Sequence, residues 1–339
     1  MNSISFCKPS LPNFDDVADL LANSMRSGHL SNFGPLYRRA TKKLSEVLNL
    51  VDKEPVITSS GHTALMTAYS VLGVDKVIVP DYTFVSTLCA AELQGIKTIV
   101  SDVDVNTGSF TPEILDSIDE DFDAVVVVCP LSIIPDLKAL HDYCIKNNKK
   151  MIVDGAATFG SSTDIYSYGD AYCMSFHATK TLSVGEGGAV VLSKSLVDKA
   201  EEYITFGLSK NKEVLSVGIN AKVSEYTCAI LLSLLDGMSY DTSMRYRNVK
   251  LYKEYLEEYM LPSFAEKTVY SSLPLYIPEY SDRVIEKLRR IGVQALKYYK
   301  PLVGRDNAVK LFNMSVCLPT HHGLREQDVL NIIKTVRSV

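Results

Sequence analysis

Two side chains of this 339-residue chain lie in sequence surroundings that suit amine chemistry. Lys180 leaves a semi-apolar run among small residues, and a partly desolvated lysine has a lowered pKa and forms Schiff bases with carbonyl compounds. Asp154 ends the apolar run Met-Ile-Val, where a carboxylate needs a partner such as a protonated heterocyclic nitrogen. Taken singly, both have ordinary explanations, because most lysines are solvated surface groups and an aspartate here could equally cap the next turn.

Two further segments add to this chemistry. Ser-Ser-Gly-His-Thr-Ala at residues 59–64 lies between a strand-like and a helical run, and the free amides of such a helix start suit a phosphate group. Alone, this segment is more often a helix cap. Pro-Asp-Tyr-Thr-Phe at residues 80–84 places an aromatic ring after another strand, either to stack on a flat ligand or to fill the core.

Together the four segments predict a site for pyridoxal 5'-phosphate. That cofactor needs a phosphate cradle, an aromatic side chain against its ring, a carboxylate for the pyridine nitrogen and an imine-forming lysine. Other chemistries lack their signatures. No P-loop, HExxH or GxSxG motif is present, and the glycines at 185–188 do not form a GxGxxG turn leading into a helix.

These segments must be positioned by an alternation of short apolar runs and helical patterns. Such an alternation indicates βαβ units and a mainly parallel sheet, with ligands at the strand ends. The predicted strands lie at 56–58, 77–79, 98–100, 124–128, 151–153, 172–176, 189–192, 273–277 and 315–318. The predicted helices include 63–72, 84–93, 112–118, 136–147, 245–260, 281–291 and 325–336. We expect a helical and loop segment over 1–50, a cofactor-binding large domain over 51–240 and a small α+β domain over 241–339.

Composition excludes several other classes of protein. With 46% hydrophobic and 22% charged residues, the chain has enough apolar material for a core and is not intrinsically disordered. A net charge of −5 argues against nucleic acid as a partner. The seven cysteines lack the spacing of a zinc cluster or a disulfide framework. Neither a signal peptide nor a membrane-spanning stretch is evident, so we expect a cytoplasmic protein that does not bind membranes.

Over nearly its whole length the chain resembles the DegT/StrS-type aminotransferases. The most specific segment is Ser-Phe-His-Ala-Thr-Lys at 175–180, with Gly-Glu-Gly-Gly-Ala-Val at 185–190. Similar motifs lie at residues 28–36, 60–65, 79–87, 100–104, 218–225 and 318–324. The resemblance implies an α/β fold, namely the aspartate-aminotransferase-like fold type I of pyridoxal-phosphate enzymes, with a smaller α+β C-terminal domain. Asn-Ala-Lys at 220–222 is most similar to the branch that makes 4-amino-4,6-dideoxy sugars.

The resemblance also implies a role for individual residues. Lys180 would bind the cofactor as an imine and shuttle protons, and Asp154 would pair with the pyridine nitrogen. The two ring faces would contact Phe84 and Ala156. The remaining residues expected at the site contact the phosphate; they are Gly61, His62, Thr63, Ser175 and, from a partner subunit of a homodimer, Asn220.

Two positions depart from the family's pattern. Ala157 stands where the family usually has Gln or His to contact the cofactor's phenolic oxygen, and residues Pro130 to Pro135 replace the usual His-Leu-Tyr-Gly-x-Pro. Losing one neutral hydrogen bond costs about 0.5–1.5 kcal/mol, so we expect weaker cofactor binding that persists. The sequence context further predicts a core position for His177, surface positions for His321 and His322, and a solvated Arg245.

The expected reaction is transfer of the amino group of glutamate to a nucleotide-linked keto-deoxysugar, a 4-keto-6-deoxyhexose in particular. Such products enter surface polysaccharides, including lipopolysaccharide O-antigen, or secondary metabolites. Two alternatives remain. In a keto-deoxysugar dehydratase on the same cofactor, histidine typically replaces the lysine, so Lys180 argues against it. A non-catalytic relative that binds a nucleotide sugar is suggested by the departures at Ala157 and Pro130.

Overall fold

The fold consists of two sheets with helices packed around them. A computed structural model describes residues 3–265 and 268–339. The strands are β1 Lys53–Thr58, β2 Lys76–Pro80, β3 Lys97–Ser101, β4 Ala124–Val128, β5 Lys150–Asp154, β6 Ala171–Ser175, β7 Gly188–Ser193, β8 Ser272–Tyr276 and β9 Ser315–Pro319. The α-helices are α1 Phe14–Ser27, α2 Pro35–Val47, α3 Gly61–Leu72, α4 Ser86–Glu92, α5 Pro112–Asp116, α6 Leu137–Lys146, α7 Val197–Tyr203, α8 Glu225–Leu256, α9 Ser281–Arg290, α10 Asp306–Met314 and α11 Glu326–Arg337.

The large sheet has seven strands in the order β1-β7-β6-β5-β4-β2-β3. Strands β3, β2, β4, β5 and β6 run parallel, and β7 is antiparallel to both β6 and β1. All five residues of β4 are buried, as expected for a strand covered by helices on both faces of the sheet. Two separate apolar cores lie on the two faces. The predicted α/β fold with a mainly parallel central sheet is therefore confirmed.

The C-terminal part forms a second, smaller layer. Strands β8 and β9 pair antiparallel, and helices α9 and α11 contribute to the third apolar core. Helix α8, 32 residues long, contacts α1 and α2 at the large sheet and α11 in the smaller layer. The predicted boundary between residues 240 and 241 falls inside α8 and stays a prediction. No helix among residues 3–265 and 268–339 is long and apolar enough to cross a membrane.

Asp81 joins the two layers at the end of β2. Its buried carboxylate accepts hydrogen bonds from the amides of Val303 at 2.7 Å, Gly304 at 3.0 Å and Arg305 at 2.5 Å. The next residue, Tyr82, donates its hydroxyl to the carbonyl of Tyr298 at 2.5 Å. The loop that contains residues 298–305 is thus fixed to the strand end of the large sheet.

We expect Asp81→Ala to lower the free energy of unfolding by about 2–4 kcal/mol, because three amides lose a charged acceptor. Urea denaturation followed by circular dichroism measures this difference. Asp119→Ala, which removes an exposed carboxylate, is the matched control and should change the free energy by less than about 0.5 kcal/mol. Equal effects of the two substitutions would show that the Asp81 contacts do not hold the layers together.

Candidate active site

A cavity of about 400 Å³ opens at the carboxyl ends of β5 and β6, between the large sheet and the C-terminal layer. Open α/β sheets bind their ligands at this end of the strands. The cavity is lined by seven of the residues expected at the site, Gly61, His62, Phe84, Asp154, Ala156, Ser175 and Lys180. Thr63 and Asn220 do not line it. Residues that lie more than 100 positions apart in the chain thus meet at one place.

Asp154 is the last residue of β5; it is buried and lines the cavity. The hydroxyl of Thr87 donates to its Oδ2 at 2.7 Å, and the amide of Ala156 donates to its Oδ1 at 3.2 Å. Burial raises the pKa of Asp154, while these two hydrogen bonds and the charge of Lys180 oppose the rise. The carboxylate is held in a fixed position and has no cation within ion-pair distance in the described part of the chain. It suits a ligand with a positively charged N–H.

Lys180 lies on the turn that follows β6. Its amide donates to the carbonyl of His177 at 2.8 Å, and the amide of Ala178 donates to Gly185 at 2.9 Å, which closes the turn. Within the described ranges, the Lys180 ammonium has no hydrogen bond or ion pair. Desolvation lowers the pKa of Lys180, although Asp154 and Cys7 favour the charged form. The fraction of neutral, nucleophilic amine is therefore larger than for a surface lysine.

The start of α3 provides backbone donors at the same cavity, which Gly61 and His62 line. The Ser60 hydroxyl accepts from the amide of Thr63 at 3.1 Å, and the Thr63 hydroxyl accepts from the amide of Ser60 at 3.0 Å. The amides of Gly61 and His62 have no partner in the described part of the chain and remain available to an anion. A Cβ atom at position 61 would lie 2.9 Å from the Cβ of Ser175, so only glycine fits there.

This capping arrangement corrects one expected contact. The amide of Thr63 is engaged by Ser60 and the residue does not line the cavity, so Thr63 acts as part of the helix cap rather than as a free phosphate donor. Ser175 does line the cavity, beside Gly61, and its hydroxyl accepts from the amide of His177 at 3.3 Å. Asn220 is exposed, and its side chain accepts a hydrogen bond from Lys222 at 2.7 Å.

Phe84 and Ala156 also line the cavity. The ring of Phe84 is 59% exposed, so the alternative of a core phenylalanine is wrong. An exposed aromatic ring at the mouth of a cavity is available to stack on a planar ligand.

The two departures from the family's pattern touch one another. Ala157 is buried against the cavity, and its carbonyl accepts a hydrogen bond from the hydroxyl of Ser132 at 2.6 Å. Leu131 and Ser132 both adopt positive φ values, 53° and 69°, and Leu131 also lines the cavity. Ala157 and the tight turn at 131–132 are therefore in contact, and together they form one side of the cavity at which this chain departs from the family's pattern.

Three expectations about polar residues are wrong. His177 is half-exposed at the cavity, where its Nδ1 lies 2.9 Å from the Thr179 hydroxyl, instead of in the core. His321 is buried, and its Nε2 lies 3.0 Å from the carbonyl of Ser5. Arg245 is only 3% exposed, because its Nε donates to Asp241 at 2.6 Å.

His322 contacts the same aspartate as Arg245. His322 is half-buried, with Nδ1 at 2.7 Å from the second carboxylate oxygen of Asp241. The contact between His322 and Asp241 joins residues 81 positions apart, and that between His321 and Ser5 joins residues 316 positions apart, so no local pattern predicts them. Four further residues line the cavity without any sequence pattern that predicts them there: Phe6, Cys7, Tyr298 and Tyr299.

Comparisons with known proteins agree with this geometry. A profile of the DegT/DnrJ/EryC1/StrS aminotransferase family matches residues 15–337. The chain is 29% identical over 362 residues to the dTDP-4-amino-4,6-dideoxy-D-glucose transaminase of Shigella dysenteriae, covering 98% of both proteins.

Two solved structures have the same fold. The structure of DesI in the presence of its TDP-sugar product has a TM-score of 0.88 at 24% identity, covering 100% of this chain and 93% of that one. NtdA from Bacillus subtilis, solved with bound cofactor PMP, has a TM-score of 0.84 at 24% identity, covering 94% of this chain and 82% of that one.

Proposed function

The chain belongs to the DegT/DnrJ/EryC1/StrS aminotransferase family, and from this premise we propose that it transfers the amino group of glutamate to a nucleotide-linked 4-keto-6-deoxyhexose. The observation that carries the proposal is the meeting of Lys180 and Asp154 in one cavity with the free amides that begin α3. The name of the Shigella relative, a transaminase of a dTDP-4-amino-4,6-dideoxy sugar, supports both the substrate class and the position of the amine.

The cavity fits pyridoxal 5'-phosphate as the cofactor. The amides of Gly61 and His62 and the hydroxyl of Ser175 would hold the phosphate, and Asp154 would accept the hydrogen bond of the protonated pyridine nitrogen. Replacement of Gly61 by any larger residue would fill the cradle. When bound, the cofactor supplies an aldehyde and an electron-withdrawing ring that stabilises negative charge next to the reacting nitrogen.

The residues of this chain then have separate tasks. Lys180 Nζ removes the proton from the α-carbon of the amino donor, and in the sugar half-reaction it delivers a proton to the former carbonyl carbon. One amine serves as base and acid in turn, which requires a pKa close to the working pH, and desolvation lowers the pKa of Lys180 in that direction. Asp154 would hold the protonated ring nitrogen, and its charge would keep that nitrogen protonated.

We propose that two chains share their active sites in a homodimer. The loop over residues 205–218 projects exposed apolar side chains, Phe206, Val214, Leu215 and Val217, beside Asn220. Exposed apolar side chains gathered on one loop are typical of protein–protein interfaces. A partner covering this loop would bring Asn220 to the phosphate end of the opposite cavity.

A mixing experiment tests this sharing. Asn220→Asp would set a carboxylate against the phosphate, and Lys180→Ala removes the amine, so each variant alone is inactive. In a heterodimer one site receives both intact residues, and statistical mixing should restore about a quarter of the wild-type activity. Mixing either single variant with the double variant Lys180→Ala,Asn220→Asp is the control, and it should restore no activity. Failure of the first mixture, with exchange of subunits verified by mass, would contradict shared sites.

The reaction itself is tested with purified protein and cofactor. Glutamate alone should convert the visible absorbance of the loaded protein and release 2-oxoglutarate, and a panel of nucleotide-linked keto-deoxysugars should then restore it. The position of the new amine is read by NMR. A product that has lost water without gaining nitrogen would identify a dehydratase, and binding without conversion would identify a non-catalytic relative.

We also propose a cytoplasmic role in the supply of amino sugars for surface polysaccharides, such as lipopolysaccharide O-antigen, or for secondary metabolites. The seven cysteines, all within the described ranges, are free thiols, which is usual in a reducing compartment and supports this location.

A further inference from the structure

An extended N-terminal segment, residues 3–13 and here called the strap, passes over the cavity. Phe6 and Cys7 line the cavity although they lie more than 50 residues before the first predicted site residue. Lys180 lines the same cavity, so this part of the strap shares the space into which the reacting amine opens.

The strap is fastened on both sides of the cavity. Towards the C-terminal layer, the amide of Ile4 donates to Gly292 at 2.8 Å, and the amide of Phe6 donates to the side chain of Gln294 at 3.0 Å. Towards the large sheet, the amide of Ser10 donates to Ser183 at 2.9 Å, three residues beyond Lys180. The part between these attachments is held across the opening.

The residues that the strap and the C-terminal layer contribute to the cavity lining carry no formal charge, and together they are here called the uncharged wall. The rings of Phe6 and Tyr298 lie with centroids 6.0 Å apart, within the range of aromatic pairs. Ser271 and Ser272 also line the cavity, and their hydroxyls have no hydrogen-bond partner in the described part of the chain. Aromatic faces beside free hydroxyls suit a sugar ring, which presents both C–H groups and hydroxyls.

The same wall does not suit the amino donor. Glutamate has two carboxylates, and Lys180 is the only lysine or arginine among the described residues that line the cavity. Arg245 is not among the described residues that line the cavity, and its Nε donates to Asp241 at 2.6 Å. Burying the glutamate carboxylates against Phe6 and Tyr298 would cost free energy, because the carboxylates would lose water without gaining a cation.

We propose that Phe6 of the strap and Tyr298 bind the hexose ring of the acceptor, and that this wall selects the sugar without taking part in recognition of the donor. The inference rests on the function proposed above. It makes Phe6 a substrate-binding residue for one half-reaction only.

Measuring the two half-reactions separately distinguishes a sugar-binding role of Phe6 from a structural role. In Phe6→Ala we expect the sugar concentration for half-maximal rate to rise about tenfold or more, because most of one aromatic contact is lost. The glutamate half-reaction, followed by absorbance in single turnover, should change at least about fivefold less, since the donor makes no contact with the ring. Phe6→Tyr keeps the ring and should stay within about threefold of the wild type. Leu11→Ala, which trims an exposed strap residue, is the matched control.

Equal losses in both half-reactions, or a fall in thermal stability of Phe6→Ala that Leu11→Ala does not show, would assign Phe6 a structural role and overturn the inference. An unchanged sugar half-reaction would also overturn it. If wild-type protein turns over neither glutamate nor any sugar, the proposed function fails, and this result is distinct from a failure of the strap inference alone.

Discussion

Lys180→Ala is expected to lower transamination by at least about 10³-fold, because the variant loses both the nucleophile and the acid-base group. Folding should persist, since the ammonium of Lys180 makes no hydrogen bond or ion pair within the described ranges. Removing a desolvated cation from beside a buried carboxylate also raises the pKa of Asp154 further, because Lys180 is one of the charges that lower it.

Single-turnover mixing with glutamate, followed by absorbance, measures the loss. Lys310→Ala, on the exposed side of α10, is the matched control and should leave the rate unchanged. Addition of a small primary amine such as methylamine should recover part of the proton transfer in Lys180→Ala and none in the control. Full activity in the variant would exclude Lys180 as the reacting amine.

The parallel strands could be predicted from sequence because their environment is simple. Residues of β4 are buried on both sides, so five apolar residues occur in succession. The polar residues that end β5 and the turn after β6 contrast with those runs, and topology alone then brings Asp154 and Lys180 together. This part of the site follows from local pattern and strand order.

Helix α8 shows where local pattern is insufficient. The predicted helix covered residues 245–260, whereas the observed helix begins at Glu225. The first half is packed between α1, α2 and the large sheet, so its apolar residues surround the helix and the amphipathic stripe is lost. Helix α10 was not predicted at all; its first turn is positioned by Asp102, whose carboxylate accepts from the amides of Asn307 and Ala308.

The uncharged wall, which the strap and the C-terminal layer form together, could not be derived from the sequence for a different reason. Phe6 and Tyr298 have no chemical signature of their own, and 292 positions separate them in the chain. Their juxtaposition depends on the attachments of the strap at Ile4 and Ser10 and on the bond from Tyr82 to the carbonyl of Tyr298. Contacts of this kind are set by tertiary structure only.

Asp154→Asn separates activity from stability and is the second large effect that we expect. Without a carboxylate, the ring nitrogen loses the charge that keeps it protonated, and the rate should fall by about 10³-fold. The hydrogen bonds need not be lost. An asparagine oxygen can accept from the amide of Ala156, and its NH₂ group can donate to the hydroxyl of Thr87 once that hydroxyl turns.

The stability of the cofactor-free protein should change in the opposite direction. Burial raises the pKa of Asp154 above its ordinary value of 3.8, so the folded state binds a proton more tightly than the unfolded chain does. This favourable contribution is complete below the ordinary value and is lost as pH rises through the raised pKa. At neutral pH the ionised carboxylate therefore opposes folding, and Asp154→Asn should raise the free energy of unfolding at pH 7 more than at pH 4.

Bound cofactor should reverse the order of stability of wild type and Asp154→Asn at pH 7, because a positive ring nitrogen beside Asp154 would stabilise its ionised form. Urea unfolding with and without pyridoxal 5'-phosphate measures the difference, and the gain on adding the cofactor should be larger for the wild type than for Asp154→Asn. Asp119→Asn, at an exposed position, should show neither effect. An equal gain in wild type and Asp154→Asn would mean that the carboxylate does not face the ring nitrogen, whatever the loss of activity. Only a direct charge interaction with the ring nitrogen makes the stabilisation by the cofactor depend on the charge at position 154.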